Sequence, residues 1–165
     1  MIDSVKDIKT EETRAQIACM LNEVWHSRLP KLHWSNVVRS GDYVCYVFKY
    51  QEAIVGTSIW SSPVSRILAK DKNKLELRRM ALSNVCPKNT ASFVISVMTK
   101  KIKDKFKNVK TLISYHDTAV HLGTIYKAAN WKEVNVSNGG QWSRQTRNRK
   151  KVQSDSKKIR WEYQI

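Results

Sequence analysis

The segment LISYHDTAVHLGTIYKAANWKEV, residues 112 to 134, gathers His116, His121, Asp117, Tyr115, Tyr126 and Gly123 into one short stretch. Asp117 stands between a run of strand formers and a helix-like run. A carboxylate at the C-terminal end of a strand in an open α/β sheet lies where ligands bind, although the same residue can be only a helix cap. Tyr126 falls inside the helix-like run, where a phenol can give or take a proton. Gly123 weakens any helix it sits in, which points to a close approach at that position. His116 and His121 flank Asp117 without the i, i+4 spacing of a helical metal pair. His33, in the separate run LHWS, adds an imidazole that could share a proton with a carboxylate or hold iron beside it. The chain has no GxSxG, Walker loop or HExxH, so those hydrolase and nucleotide-triphosphatase classes drop out.

These residues need a scaffold, and the pattern of apolar residues supplies one. Thr10 can cap a first helix with Glu11 and Glu12 in its first turn and Ile17, Met20, Leu21, Val24 and Trp25 at helical spacing, ending near Pro30. DYVCYVFKY and AIVGTSIW, separated by a short polar QE, are predicted to form a hairpin. A lysine-rich loop, Ser61 to Lys74, leads into LELRRMAL, where the two-residue period puts Leu75, Leu77, Arg79 and Ala81 on one face. An arginine there either reaches solvent past the strand end or is aimed into a cleft. From Thr90 a helix is predicted with Phe93, Val94, Val97, Met98, Ile102 and Phe106 as its apolar stripe. A strand at TLISY, a helix at VHLGTIYKAA ended by Asn130, and a strand at WKEVNV follow, and KKIRWEYQI can form a last strand. The expectation is one α/β domain over residues 1–165, a mixed central sheet flanked by helices, with a basic extension from about residue 137.

The charge balance points to a partner. Thirty Lys and Arg against 14 Asp and Glu leave +16, a field that concentrates polyanions, nucleic acid above all. From Gln141 onward there are eight basic and two acidic residues interleaved with Trp142, Trp161 and Tyr163, a composition suited to phosphate pairing and base stacking. The residues expected to contact DNA are Trp142, Arg144, Arg147, Arg149, Lys150, Lys151, Arg160 and Trp161. A solvated edge strand with core tryptophans is the competing reading of that segment. Cys19, Cys45 and Cys86 are odd in number and lack a CxxC, so they read as reduced thiols. No apolar run is long enough to cross a bilayer, and the expected location is the cytoplasm of the cell that makes the protein, with no membrane partner.

Two resemblances carry these expectations further. IYKAANWKEV resembles the tyrosine-containing last motif of the GNAT acyltransferases, commonly lYeklGFkev. Over most of residues 33 to 163, HWS, ELRRMAL, PKNTASFVIS, SYHDTAVHLGTIYKAANW and RWEY resemble the Mom family of phage DNA-modification proteins, which look like GNAT relatives specialised for adenine. That resemblance implies a GNAT-like fold and transfer of a carbamoylmethyl group to adenine N6 in double-stranded DNA, with the base flipped out, protecting phage DNA from host restriction in the infected cell. It places the functional residues at His33, Arg79, Ser92, Asp117 and Tyr126, and implies iron held by His33 and Asp117. The chain departs from the pattern at Trp34, where the family has tyrosine, and at Val120, where it has glycine.

The wider superfamily holds coenzyme A pyrophosphate on a glycine-rich turn at a helix start. Here that turn is PKNTAS, without glycine, and Lys88, Asn89, Thr90 and Ser92 occupy the approach, which disfavours acetyl-CoA while leaving an anion site at Lys88, Asn89 and Thr90. The alternatives are an acetyl-CoA-dependent N-acetyltransferase and a non-enzymatic DNA-binding anti-restriction protein.

Overall fold

The computed structural model describes residues 2, 4–26, 29–139 and 155–165. Its elements run β1 (Ile8–Thr13), α1 (Ala15–Trp25), α2 (Trp34–Val38), β2 (Tyr43–Tyr50), β3 (Ala53–Ser61), β4 (Lys74–Leu82), α3 (Thr90–Lys105), β5 (Thr111–Asp117), α4 (Thr124–Ala128), β6 (Lys132–Ser137) and β7 (Lys158–Gln164). One seven-stranded sheet has the order β1-β2-β3-β4-β5-β7-β6. Every pair is antiparallel except β4 and β5, which are joined by the crossover helix α3.

Two cores fill the faces of this sheet. The larger lies under α3 and α4 and holds Phe48, Trp60, Leu75, Leu77, Met98, Ile102, Leu112, Tyr126 and Trp161. The smaller lies under α1 and α2 and holds Ala15, Ala18, Cys19, Leu32, Val37, Cys45 and Ile59. The predicted hairpin, the β4 strand and α3 stand where the sequence pattern puts them. No helix among the described residues is long and apolar enough to cross a membrane.

Three expectations about the elements are corrected. Thr10 does not cap a helix: it is buried in β1 opposite Phe48, because Ile8 and Thr10 alternate with exposed Lys9 and Glu11 and so fit an added strand. The α1 helix starts only at Ala15, and it buries Ala15, Ala18, Cys19 and Asn22 against the sheet while Met20 and Val24 stay 59% and 70% exposed. Small side chains allow a close approach of helix to sheet, so here they outrank larger apolar ones. Finally, KKIRWEYQI is not an edge: β7 inserts between β5 and β6, which buries Trp161 to 2% exposure and leaves β6 at the margin.

Candidate active site

The parallel pairing of β4 and β5 covers only Lys74–Leu77 against Thr111–Ser114. Beyond it, β4 stays with β3 as far as Leu82 and β5 stays with β7 as far as Asp117, so two half-sheets part from one another. Main-chain groups along such a parting have lost their sheet partners, which makes it a natural seat for a ligand. Its root is built from side chains. Ser114 Oγ donates to the Leu77 carbonyl at 3.3 Å, and Tyr126 Oη lies 2.8 Å from Ser114 Oγ. With the serine proton committed to Leu77, the phenol is the donor of that second bond.

Why Tyr126 reaches this point follows from Gly123. Gly123 has φ +69°, in the left-handed region, and starts α4. A Cβ at that position would lie 2.6 Å from Trp161 and 2.8 Å from His116, so only glycine lets the chain seat there. One helical turn later Tyr126 stacks on Trp161, with centroids 5.5 Å apart and planes 17° from parallel. Such a pair contributes about 0.5–1.5 kcal/mol beyond its burial. Trp161 Nε1 in turn donates to His116 Nδ1 at 2.7 Å. That bond requires His116 Nδ1 to carry no proton, and burial, followed by the charge of His121, holds the imidazole below its ordinary pKa. Burial likewise pushes the Tyr126 phenol up, so it stays protonated. Tyr126 is 6% exposed and therefore supports the root of the parting instead of lining its mouth.

Arg79 lies on the β4 lip, and the expected face is corrected. The pairing slips between β3 and β4, Ile59 opposing Arg79 and Trp60 opposing Leu77, so Arg78 is an extra residue in a β-bulge. A bulge resets the two-residue alternation. Leu75 and Leu77 belong to the larger core, yet Met80 and Leu82 resume it instead of Arg79 and Ala81. Arg78 and Arg79 both come within electrostatic range of Cys19 on α1, on the opposite face.

Asp117 ends β5 on the other lip. Its Oδ1 accepts the Ala119 amide at 2.9 Å and the Ser156 hydroxyl, so it organises the turn that follows and ties it to the segment entering β7. The helix expected directly after it begins only at Thr124.

The remaining predicted residues are spread more widely. Asn89 takes φ +71° just before α3 and so adopts the conformation a glycine would supply. Thr90 is corrected as a ligand contact: it is 1% exposed and donates to the Pro87 carbonyl at 2.8 Å. Ser92 donates to the Asn89 carbonyl at 3.0 Å, while Lys88 and Asn89 are exposed at this helix start. His33 caps α2, with Nδ1 2.7 Å from Ser35 Oγ. No described contact joins His33 to Asp117. Among the described residues no group of three or more His, Cys, Asp or Glu side chains is assembled to hold a metal ion. His33 Nδ1 and Asp117 Oδ1 are engaged within the protein, so a metal held by His33 would take Nε2.

Of the expected DNA contacts, Trp161 is corrected: its ring is interior and its N–H is spent on His116. Arg160 lies on β7 in an ion pair with Glu162, Nε to Oε1 at 3.2 Å. Trp142, Arg144, Arg147, Arg149, Lys150 and Lys151 lie outside the described residues. The sequence reading missed Ser114 as the root of the parting and His116 as part of its support. Both could have been found, since Leu112, Ser114 and His116 share one face of β5 and two polar residues on a core-facing strand call for partners.

A family model, the Mom protein family, matches residues 16–163. The chain belongs to the Mom protein family. No curated protein matches it at a significant level. Solved structures show the fold of this Mom family member to be that of GNAT acetyltransferases. It superposes on the IAA acetyltransferase from Bacillus cereus with TM-score 0.66 at 10% identity, covering 96% of this chain and 99% of that one. A GNAT family acetyltransferase from Elizabethkingia anophelis with acetyl-CoA bound gives 0.66 at 14% identity over 96% and 99%. An N-acetyltransferase from Staphylococcus aureus Mu50 gives 0.67 at 11% over 95% and 98%. At these identities the likeness is one of fold.

Proposed function

We propose that this chain is a DNA-modification transferase that attaches a carbamoylmethyl group to N6 of adenine in phage DNA, shielding it from host restriction. The observation that carries the reading is the parting of β4 from β5 in a Mom family chain, with Arg79 on one lip and Asp117 on the other. Adenine N6 is paired inside a duplex and its lone pair is delocalised into the ring. The base must be extruded, at a cost of a few kcal/mol, and a surface of net charge +16 favours holding the strand. As N6 attacks the donor's methylene carbon, the bond from that carbon to the rest of the donor breaks and the donor remnant departs with the electron pair. Asp117 takes the N6 proton, and Arg79 holds an anionic or carbonyl group of the donor. Ser92 and the exposed Lys88 and Asn89 stand at the start of α3, where main-chain amides favour an anion. Tyr126 acts through Ser114, keeping the root of the opening fixed. No step is routed through iron, and among the described residues no group of three or more His, Cys, Asp or Glu side chains is assembled.

The test is nucleoside mass spectrometry of plasmid DNA from cells expressing the wild-type protein and from cells carrying an empty vector. Modified adenosine only in the first supports the reading; unmodified adenine in both rejects it.

A second reading, an acetyl-CoA-dependent N-acetyltransferase, is favoured by the fold shared with a GNAT enzyme that has acetyl-CoA bound. Against it stands PKNTAS, where Asn89 copies the glycine conformation but side chains remain in the pyrophosphate's path. A thermal shift with acetyl-CoA separates the two, since a ligand at a hundred times its Kd adds about 2.7 kcal/mol of stability.

A further inference from the structure

The β4 bulge places two arginines side by side on the α1 face, with the Glu76 carboxylate within electrostatic range of both but ion-paired to neither. Among the described residues neither Arg78 nor Arg79 forms an ion pair, and the Nε of each is buried without a hydrogen-bond partner. Arg79 Nη1 donates to the Arg78 carbonyl at 2.8 Å, and Nη2 reaches the Pro30 carbonyl only at 3.5 Å, so most of its donors remain unused. The acid of the same strand, Glu76, is itself buried and accepts the Val64 amide at 2.9 Å. Two adjacent, half-buried guanidiniums that share one nearby carboxylate without an ion pair oppose each other and cost stability. Nothing about packing requires that cost, since one apolar residue at the bulge would remove it. What such a pair suits is an oxyanion, carboxylate or phosphate, which a guanidinium fork can grip with two parallel N–H bonds.

We propose that Arg78 and Arg79 together form an anion clamp on the β4 lip, and that Arg78, the bulge residue, determines specificity for a donor carrying a carboxylate or phosphate. The clamp deepens the transferase reading by assigning the donor's chemical class, and it rests on that reading for its role.

The test measures binding without any modified DNA, so it stands or falls separately from the nucleoside result. Titration calorimetry on the full chain uses three probes: glycolate, inorganic phosphate and neutral acetamide, against wild type, Arg78→Gln, Arg78→Lys and Arg79→Gln. The expected result is binding of glycolate or phosphate but not acetamide, weakened at least tenfold in Arg78→Gln and Arg79→Gln. Arg78→Lys, which keeps the charge and loses the fork, should fall between. Tighter glycolate than phosphate binding assigns a carboxylate donor, and the reverse assigns a phosphorylated one. Duplex DNA affinity should change less than twofold in Arg78→Gln. A DNA affinity that falls with Arg78→Gln would instead give the pair to the DNA backbone and overturn the proposal. So would equal anion binding by all four proteins, or an Arg78→Gln chain that melts well below wild type, the sign of a structural arginine.

Discussion

Replacing Gly123 by alanine tests how the chain brings Tyr126 to the root of the opening. The added methyl would stand 2.6 Å from Trp161 and 2.8 Å from His116, both closer than any Cβ contact can be, on a backbone at φ +69°. The left-handed conformation costs a non-glycine residue about 1–2 kcal/mol. Overpacking a filled core adds about 1–3 kcal/mol. Together the loss is about 2–5 kcal/mol, and at about 2–4 °C per kcal/mol for a chain of this size the melting temperature should fall by roughly 4–20 °C. Denaturant titration of Gly123→Ala, Trp161→Phe and the double variant resolves the two contributions. The smaller phenyl ring relieves the clash, so the double variant should lose less than the sum of the singles. A melting temperature within about 2 °C of wild type, or strict additivity in the cycle, would refute the claim that the Gly123 backbone is pressed against this aromatic stack.

Tyr126→Phe keeps the stack on Trp161 and loses only the bond to Ser114, so calorimetry should find about 0.5–1.5 kcal/mol of lost stability, and a change near zero would deny that bond any structural part. His116 gives a pH signature. Its imidazole is held below the ordinary value of 6.5, so the unfolded chain takes up its proton first as pH falls. The contribution to stability is whole above pH 6.5 and is lost as the pH falls below it, toward the lower folded value, and the urea midpoint should track this. His116→Gln should flatten that portion of the profile; an unaltered slope would place the titration elsewhere. Burial pushes the Cys45 thiol up to about 12, so alkylation of the native protein at neutral pH should modify Cys86, which is partly exposed, well before Cys45, and early labelling of Cys45 would contradict its place in the smaller core.

The elements that bury a broad apolar face were legible. β2, β3 and α3 have runs long enough that the two-residue and helical periods declare themselves. The α1 helix was misread because its contact side is built from Ala15, Ala18 and Cys19, whose small size matters only once the sheet is present. Arg79 lies on β4 as expected, but its direction was not legible, since a bulge at Arg78 is set by how Ile59 and Trp60 pair across the sheet and leaves no mark on the β4 sequence. Asp117 was correctly placed at a strand end, whereas the buried setting of Tyr126 and Trp161 depends on β7 inserting between β5 and β6, a long-range event invisible to local pattern. The family resemblance read from the motifs agrees with the family model that matches residues 16–163.

The claim at the centre is that the two lips of the β4 and β5 parting act together on adenine. Its most direct test is nucleoside mass spectrometry of plasmid DNA from cells expressing wild type, Arg79→Gln or Asp117→Asn at equal soluble levels. Modified adenosine with the wild type and a loss of at least a hundredfold with each variant is the expected result. Modification that persists in either variant would place the chemistry somewhere other than this opening.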